Sequence, residues 1–599
     1  MTAMPMTDAP APASGSRPLT RVLIANRGEI ALRVIRACRD LGLASVAVYT
    51  AADARSAYVE LADDAYRLEG TGPQETFLSI PALLAIAHRA GADAVHPGYG
   101  YLAESGEFAA AVTAAGLTWV GPSESAITAL GDKTGARAVA EAVGAPIARG
   151  SAGAVDGVEE ALRIAEEIGF PVAVKAVHGG GGRGFRTAAD ARELPTAFEA
   201  ASREAVAAFG RGECLIEQQI VAPRHIETQC LADAHGTVRV LSTRDCSLQR
   251  RNQKVVEEAP APGLTAEQEQ VLAEASASIL SHVGYVGAAT CEFLLGADGR
   301  LSFMEANARI QVEHTVTEEV TGVDLVAWQL RIAAGERLPE AFPAPRGHAF
   351  QFRINAEDPA GGFFPSTGTI TACREPAGPG VRMDSGVTEG FHVGTDFDPM
   401  LAKLVVTGED REAALARSRR ALDEYRLEGV ATLLPLHRAL VDAPAFAGSG
   451  HTVHTRWLEE DFMPGWTASL TPAEQNGAAA PAEDVEVVVE VDGHRLTVCV
   501  PAALAAPPAP ERRRSRRISR RGTTVAQDVS GLTAPMQGTI VAVDVSPGDR
   551  VSAGDRLAVI EAMKMEQPLK APQDAVVKSV AVAAGAGVRS GDMLIEFED

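Results

Sequence analysis

The sequence predicts a multidomain protein of α/β and α+β class: a doubly wound domain first, a larger α+β region in the middle, and a small all-β sandwich at the end. Three observations carry this. A strand-turn-helix-strand pattern begins at Val22, and a glycine run follows a short apolar strand near Lys175. Near the C-terminus, Ala534-Pro535, Gly548-Asp549-Arg550-Val551 and Gly554-Asp555 recur as Ala571-Pro572, Gly585-Ala586-Gly587-Val588 and Gly591-Asp592 at one constant offset, the mark of two similar halves. A chain of 599 residues exceeds one compact core and divides into roughly three to five domains.

Composition narrows the function classes. A formal net charge of −23 argues against general nucleic-acid binding. The seven cysteines are odd in number, scattered, and never spaced as a paired metal motif, which predicts a reducing cytoplasm and no structural zinc. Residues 1–17, rich in Ala, Pro, Ser and Met, read as a disordered tail with neither a basic start nor an apolar run. No segment holds the ~18 consecutive apolar residues of a membrane span.

The first domain, residues 18–130, opens with a strand from Val22 to Ala25, a turn at Asn26-Arg27-Gly28, and a helix with Ile30, Val34, Cys38 and Leu41 on one face; a strand from Ser45 to Tyr49 follows. The turn lacks G-x-G-x-x-G, so a nicotinamide dinucleotide is excluded. His96-Pro97-Gly98-Tyr99-Gly100-Tyr101-Leu102 is a rigid glycine and aromatic loop.

In the second region, residues 131–338, a strand from Val172 to Val174 ends in Lys175 and leads into His178-Gly179-Gly180-Gly181-Gly182-Arg183-Gly184. Serial glycines let backbone N–H groups close around phosphate oxygens, and the lysine adds a point charge; alone, the run also fits a flexible surface loop. It lacks the spacing of a P-loop. A strand from Cys214 to Ile220 follows, and Arg244 to Glu258 is dense in donors with no intervening aromatics, which suits a small anion better than nucleic acid.

If the turn in Gly296-Ala297-Asp298-Gly299 is centred on Asp298-Gly299, Glu292 and Glu305 face each other across an antiparallel hairpin. Two like charges so placed destabilise the ladder unless something positive lies between them or solvent screens them. A divalent ion is the economical answer, and hard oxygen ligands beside phosphates point to Mg²⁺ or Mn²⁺. Glu305, Asn307, Arg309, Gln311 and Glu313 alternate with Ala306, Ala308, Ile310 and Val312, so an extended chain puts all five polar groups on one face, the floor of an active site.

Residues 339–463 form a third domain, and residues 464–528 a joint. Within the joint, Val485 to Val491 and Arg495 to Val500 flank an Asp492-Gly493 turn as a hairpin, followed by an Ala-Pro stretch that favours a mobile tether and by the basic run Arg512 to Arg521, which reads as solvated linker or as a dock for an acidic partner surface. In the last domain, residues 529–599, Glu561-Ala562-Met563-Lys564-Met565 falls between the two half-repeats. A Met-Lys-Met hairpin tip is a poor choice for folding alone, because tight turns favour Asn-Gly or Asp-Gly. Something else requires those side chains exposed.

This tip resembles the biotinyl (lipoyl-like) domain of biotin-dependent carboxylases, which implies covalent biotin on Lys564. Ile24-Ala25-Asn26-Arg27-Gly28-Glu29-Ile30 with the His96 to Leu102 loop resembles the Rossmann-like N-terminal domain of biotin carboxylase, and Glu305 to His314 its later signature, with Thr315 where many relatives have proline. The resemblance implies an ATP-grasp domain whose glycine run, Gly180, Gly181 and Gly182 included, is a lid over the triphosphate. It places Lys133, Lys175, Glu217, Gln218, Ile220, His225, Gln249 and Asn252 around ATP, and Glu292, Glu305 and Asn307 on the metal. Glu313 becomes the base for bicarbonate, held by Lys254, Arg309, Gln311 and the Val312 N–H. Arg353, in the biotin carboxylase C-terminal domain, stabilises the biotin enolate, with Asp398 orienting it. His178 and Asn252 depart from some relatives near the phosphates.

The whole then resembles the alpha subunit of an acyl-CoA carboxylase, with biotin carboxylase and carrier fused. That implies ATP, biotin and Mg²⁺ or Mn²⁺ as cofactors, bicarbonate as substrate, a biotin protein ligase for Lys564, and a separate carboxyltransferase beta subunit acting on acetyl-, propionyl- or longer acyl-CoA. It also implies a hetero-complex with a homodimeric carboxylase part. A carrier-only subunit predicts biotin without carboxylation, and a non-biotin ATP-grasp ligase predicts amine-dependent ADP release; the intact Glu292, Glu305, Arg309 and Glu313 oppose the first, and Met563-Lys564-Met565 the second.

Overall fold

In the computed structural model, the described residues are 18–599 apart from 71, 152, 178–183, 468–483, 492–493, 502–530, 536–537, 563–564, 590 and 599. The chain opens with a five-stranded parallel sheet whose first strand, Arg21–Ile24, lies between Ala44–Tyr49 and Ala94–His96. The helix Gly28–Asp40 buries Ile30, Val34 and Cys38 as the spacing requires, while Leu41 caps its end and is only half-buried. The turn before it needs Gly28, whose φ is +64°. Fold class and doubly wound start agree with the sequence reading.

The centre of the molecule is one antiparallel sheet of eight strands. Its order is Leu301–Asn307, Gly287–Leu295, Arg224–Ala232, Val238–Arg250, Gln253–Ala259, His348–Asn355, Met400–Gly408 and Val381–Ser385. A smaller sheet of three strands, Phe185–Ala188, Val172–Ala176 and Cys214–Gln218, stands opposite and carries Lys175 and Glu217. Lys175 lies within its strand rather than after it, and the strand from Cys214 stops at Gln218, short of Ile220.

The chain ends in two four-stranded sheets enclosing Ile540, Leu557, Ile560, Val577, Leu594 and Phe597. Its half-repeats are visible in the turns: Gly548, Gly554, Gly585 and Gly591 all take positive φ, between +86° and +93°. In three of them the following aspartate accepts an N–H from three residues back at 2.7 Å: Asp549 from Ser546, Asp555 from Ser552, and Asp592 from Arg589. The fourth has Ala586 there. Strands Arg556–Ala562 and Met565–Lys570 pair with Ala562 opposite Met565; Lys564, between them, lies outside the described residues.

The hairpin of the joint forms as Asp484–Val491 paired with His494–Pro501, while Arg512 to Arg521 lie outside the described residues. Among the described residues no helix is long and apolar enough to cross a membrane. Cys38, Cys214, Cys230, Cys246, Cys291 and Cys373 are unpaired.

Candidate active site

A cavity of about 980 Å³ lies between the three-stranded and eight-stranded sheets and reaches the first domain at Arg27 and Tyr101. It gathers Lys175, Glu217, Gln218, Ile220, His225, Gln249, Asn252, Lys254, Glu292, Glu305, Asn307, Arg309, Gln311, Val312, Glu313, Arg353 and Asp398. The glycines Gly180, Gly181 and Gly182, and the side chain of Lys133 at the start of helix Lys133–Ala142, lie outside the described residues.

Glu292 and Glu305 do face each other across the hairpin, but by a different register near the turn than a centre at Asp298-Gly299 gives. Leu295 pairs with Leu301 and Phe293 with Phe303, so the loop is centred on Asp298, and a bulge at Met304 restores the opposition. The bulge re-aims Glu305 into the cavity. The protein itself supplies positive and donor groups at Glu292: Lys254 Nζ donates at 3.1 Å, Gln311 Nε2 at 2.6 Å and Asn307 Nδ2 at 2.9 Å, and His225 Nε2 lies 2.8 Å away. Two carboxylates and a neighbouring amide form an oxygen-rich donor set that fits Mg²⁺ or Mn²⁺.

The alternating row is corrected beyond Asn307. The strand ends there; Arg309 sits in a bend, Gln311 in irregular chain, and Glu313 caps the helix His314–Thr321. All five side chains still reach the cavity, because the bend turns the chain along the cavity wall. Arg309 NH2 donates to Asn307 Oδ1 at 2.8 Å, and its Nε lies 2.9 Å from Glu104. The Val312 carbonyl accepts from the fully buried Lys403 at 3.1 Å, and Lys403 also pairs with Glu29 at 2.9 Å.

Lys254 is the electrostatic centre. Its Nζ donates to Glu313 at 2.6 Å and Glu227 at 2.7 Å as well as to Glu292. Burial opposes its charge, but the surrounding negative groups prevail and hold its pKa well above the ordinary lysine value. Glu313 shows the converse: burial alone would raise its pKa, yet Lys254, Arg353 and Arg244 hold it far below the carboxylate range.

Arg353 donates from Nε to Glu257 at 2.5 Å and from NH2 to Glu313 at 3.0 Å. These carboxylates orient it, and not Asp398, which lies on the same cavity wall and accepts the Met400 N–H at 3.2 Å. At the other end of the cavity, Lys175 and Arg137 both bond Glu217, the latter at 2.8 Å. Burial raises the Glu217 pKa, and the two cations lower it by more. Gln249 Nε2 lies 3.2 Å from His225 Nδ1.

Sequence reasoning missed Glu227, Glu257, Glu104, Arg137 and Arg244. A signal for Glu227 was present: it stands two residues after His225 on one strand, so both side chains share a face. Arg137, Glu104 and Glu257 act across tertiary contacts that no local pattern encodes.

Comparison with known proteins accords with this geometry. Family descriptions match in sequence order: "Biotin carboxylase, N-terminal domain" over residues 18–127, "Carbamoyl-phosphate synthase L chain, ATP binding domain" over 132–341, "Biotin carboxylase C-terminal domain" over 351–460 and "Biotin-requiring enzyme" over 530–597. The biotin-dependent acyl-coenzyme A carboxylase alpha3 subunit of Mycobacterium leprae is 48% identical over 97% of this chain and 99% of its own length. The mitochondrial propionyl-CoA carboxylase alpha chain of Homo sapiens is 36% identical over 96% of this chain and 91% of its own. Among solved structures, the biotin carboxylase domain dimer of Hydrogenobacter thermophilus 2-oxoglutarate carboxylase, in complex with MgADP, ADP and bicarbonate, superposes with a TM-score of 0.72. It is 44% identical and covers 76% of this chain and 100% of that one.

Proposed function

The chain belongs to the biotin-dependent carboxylases, as an acyl-CoA carboxylase alpha subunit that joins biotin carboxylase to biotin carrier, and from that premise we propose how its residues divide the work. The enzyme is an ATP-grasp ligase that carboxylates biotin with bicarbonate at the expense of ATP. Residues 18–130, 131–338 and 339–463 together form the carboxylase, and residues 529–599 carry biotin on Lys564.

Lys133, Lys175 and the glycines 180–182 hold the phosphates, while Glu217, Gln218, Ile220, His225, Gln249 and Asn252 hold the rest of the nucleotide. Glu292, Glu305 and Asn307 hold the magnesium, which when bound supplies a positive charge that withdraws electrons from the γ-phosphoryl group. Lys254, Arg309, Gln311 and the Val312 N–H orient bicarbonate, and Glu313 takes its proton. A bound anion shares the charge of Lys254, which loosens that ammonium's hold on Glu313 and raises its basicity toward the working range. Bicarbonate oxygen then attacks the γ-phosphorus, giving carboxyphosphate and ADP, and carboxyphosphate breaks down to CO₂ and phosphate. Arg353 would hold the ureido oxygen of biotin, and Glu257 fixes the guanidinium for that task.

The observation that supports this reading is the Lys254 ammonium held among Glu227, Glu292 and Glu313, in a cavity that Lys175, Glu217, Arg309 and Arg353 also line. The carboxyl group passes to a carboxyltransferase subunit on another chain, which selects an acetyl- or propionyl-type acyl-CoA. A biotin protein ligase loads Lys564, the carboxylase part pairs as a homodimer, and the complex works in the cytoplasm.

The test is acid-labile ¹⁴C retained on biotinylated protein after incubation with MgATP and labelled bicarbonate. Wild type is expected to hold label, and Lys564→Ala and Glu313→Ala to hold none. An unlabelled but fully biotinylated wild type would overturn the reading.

A further inference from the structure

The turn between strands Val238–Arg250 and Gln253–Ala259 is built against its own folding preference. Arg250 pairs with Gln253, so Arg251 and Asn252 form a two-residue loop, and both have positive φ, 48° and 62°. In that geometry the chain favours Asn-Gly, because a β-carbon crowds the backbone there. An arginine in the first position needs a reason outside the hairpin. Phe363, close by, also has positive φ, 65°, and the Arg250 guanidinium lies 3.9 Å over its ring.

Two of these residues, Arg251 and Phe363, meet the carrier sandwich. Gln567 is only 2% exposed, and both ends of its amide are engaged outside its own domain. Its Oε1 accepts from Arg251 NH1 at 2.8 Å, and its Nε2 donates to the Phe363 carbonyl at 3.1 Å. Phe364 packs against the apolar core of the sandwich. A groove of about 570 Å³, lined by Arg251, Phe363, Leu532 and Pro568, lies along the contact. Arg251 also donates its backbone N–H to Glu459 at 3.2 Å, which fixes the turn to the carboxylase.

Sequence position gives this contact its meaning. Gln567 follows Lys564 by three residues, and Arg251 precedes Lys254 by three, each a path of at most about 11 Å. Asn252, the other half of the turn, lines the catalytic cavity. One strained turn thus touches the carrier on one side and the reaction site on the other.

We propose that the Arg251-Asn252 turn and Phe363 form a dock for this chain's own carrier domain, recognised through Gln567, and that the docked pose is the one from which the group on Lys564 is carboxylated. This rests on the reading of the cavity and of Lys564 given above. Free biotin needs no dock, so it separates the two claims.

The experiment uses full-length biotinylated protein and two rates: ¹⁴C transfer to the protein's own carrier, and ATP hydrolysis driven by free biotin. Gln567→Ala, with biotin loading equal by avidin blot, is expected to slow self-carboxylation at least about tenfold with free-biotin turnover unchanged. Arg251→Ala should behave alike, and the double variant should lose little more than either single one, since both remove one contact. Self-carboxylation at or above the wild-type rate in Gln567→Ala overturns the dock, as does an equal fall in both rates. A wild type that turns over neither its carrier nor free biotin overturns the catalytic reading and the dock with it.

Discussion

Arg244 has no exposed surface, and its guanidinium bonds Glu227, Gln229 at 2.7 Å, Thr317 at 2.9 Å, Gln311 at 3.0 Å and Thr290 at 3.1 Å. It touches the bicarbonate residues only from behind, through Gln311. Replacing it with methionine leaves the buried Glu227 with one cation fewer, and breaking such a pair costs about 3–5 kcal/mol. Urea unfolding of Arg244→Met should show a loss of that size; a loss below about 1 kcal/mol would count against its role as a hub. Arg353 differs because it faces the cavity. Arg353→Ala is expected to lower kcat by about 10²- to 10³-fold. A thermal melt run alongside distinguishes lost chemistry from the cost of leaving Glu257 and Glu313 without it. Glu313, Arg309 and Lys254 were legible because charged groups in an alternating or donor-rich run stand out in a sequence. Arg244 stood in the same run, yet nothing local tells a buried arginine from a cavity-facing one.

Elements add constraints that single residues do not show. The alternation from Glu305 to Glu313 suits an extended strand, but the same polar and apolar order is met by a bend leading into a helix, so the pattern could not choose between them. The sandwich was easier to read, since its repeated Gly-Asp turns each encode one local hydrogen bond. A third element contact is testable by pH. Glu258, on the strand Gln253–Ala259, accepts from His348 at 2.7 Å on the next strand and from Arg411 Nε at 2.6 Å on the helix Arg411–Glu424. Burial would raise its pKa, but these partners hold it at about 2 against an ordinary value of 4.5. A depressed carboxylate stabilises the fold above its unfolded pKa and loses that contribution as pH falls through the folded one. The window is therefore about pH 4.5 down to 2, and the contribution about 3 kcal/mol. Glu258→Gln should be less stable by that amount at pH 7 and converge with wild type near pH 2. Stability curves that stay parallel across the window would sink the assignment.

At the scale of the whole molecule, the carboxylase and the carrier differ in how they are joined to the rest. The carrier meets the carboxylase through Gln567 and Phe364, and the sequence between the two holds the basic run Arg512 to Arg521. Trypsin, which cuts after arginine, should release the carrier there and leave one large fragment. That fragment should keep ATP hydrolysis driven by free biotin and lose self-labelling; a further cut near residue 338 that yields two stable pieces would contradict the structure. The reason is the central sheet: Gln253–Ala259 pairs with His348–Asn355, from Val256 opposite Phe352 to Ala259 opposite Ala349. Separating them would bare two long strand edges in the middle of the protein. For the gene, this sets where recombination can act. A break placed between the last two carboxylase segments would divide one sheet, whereas a break in the joint just before the carrier would divide none, so only the second leaves every strand with its neighbour.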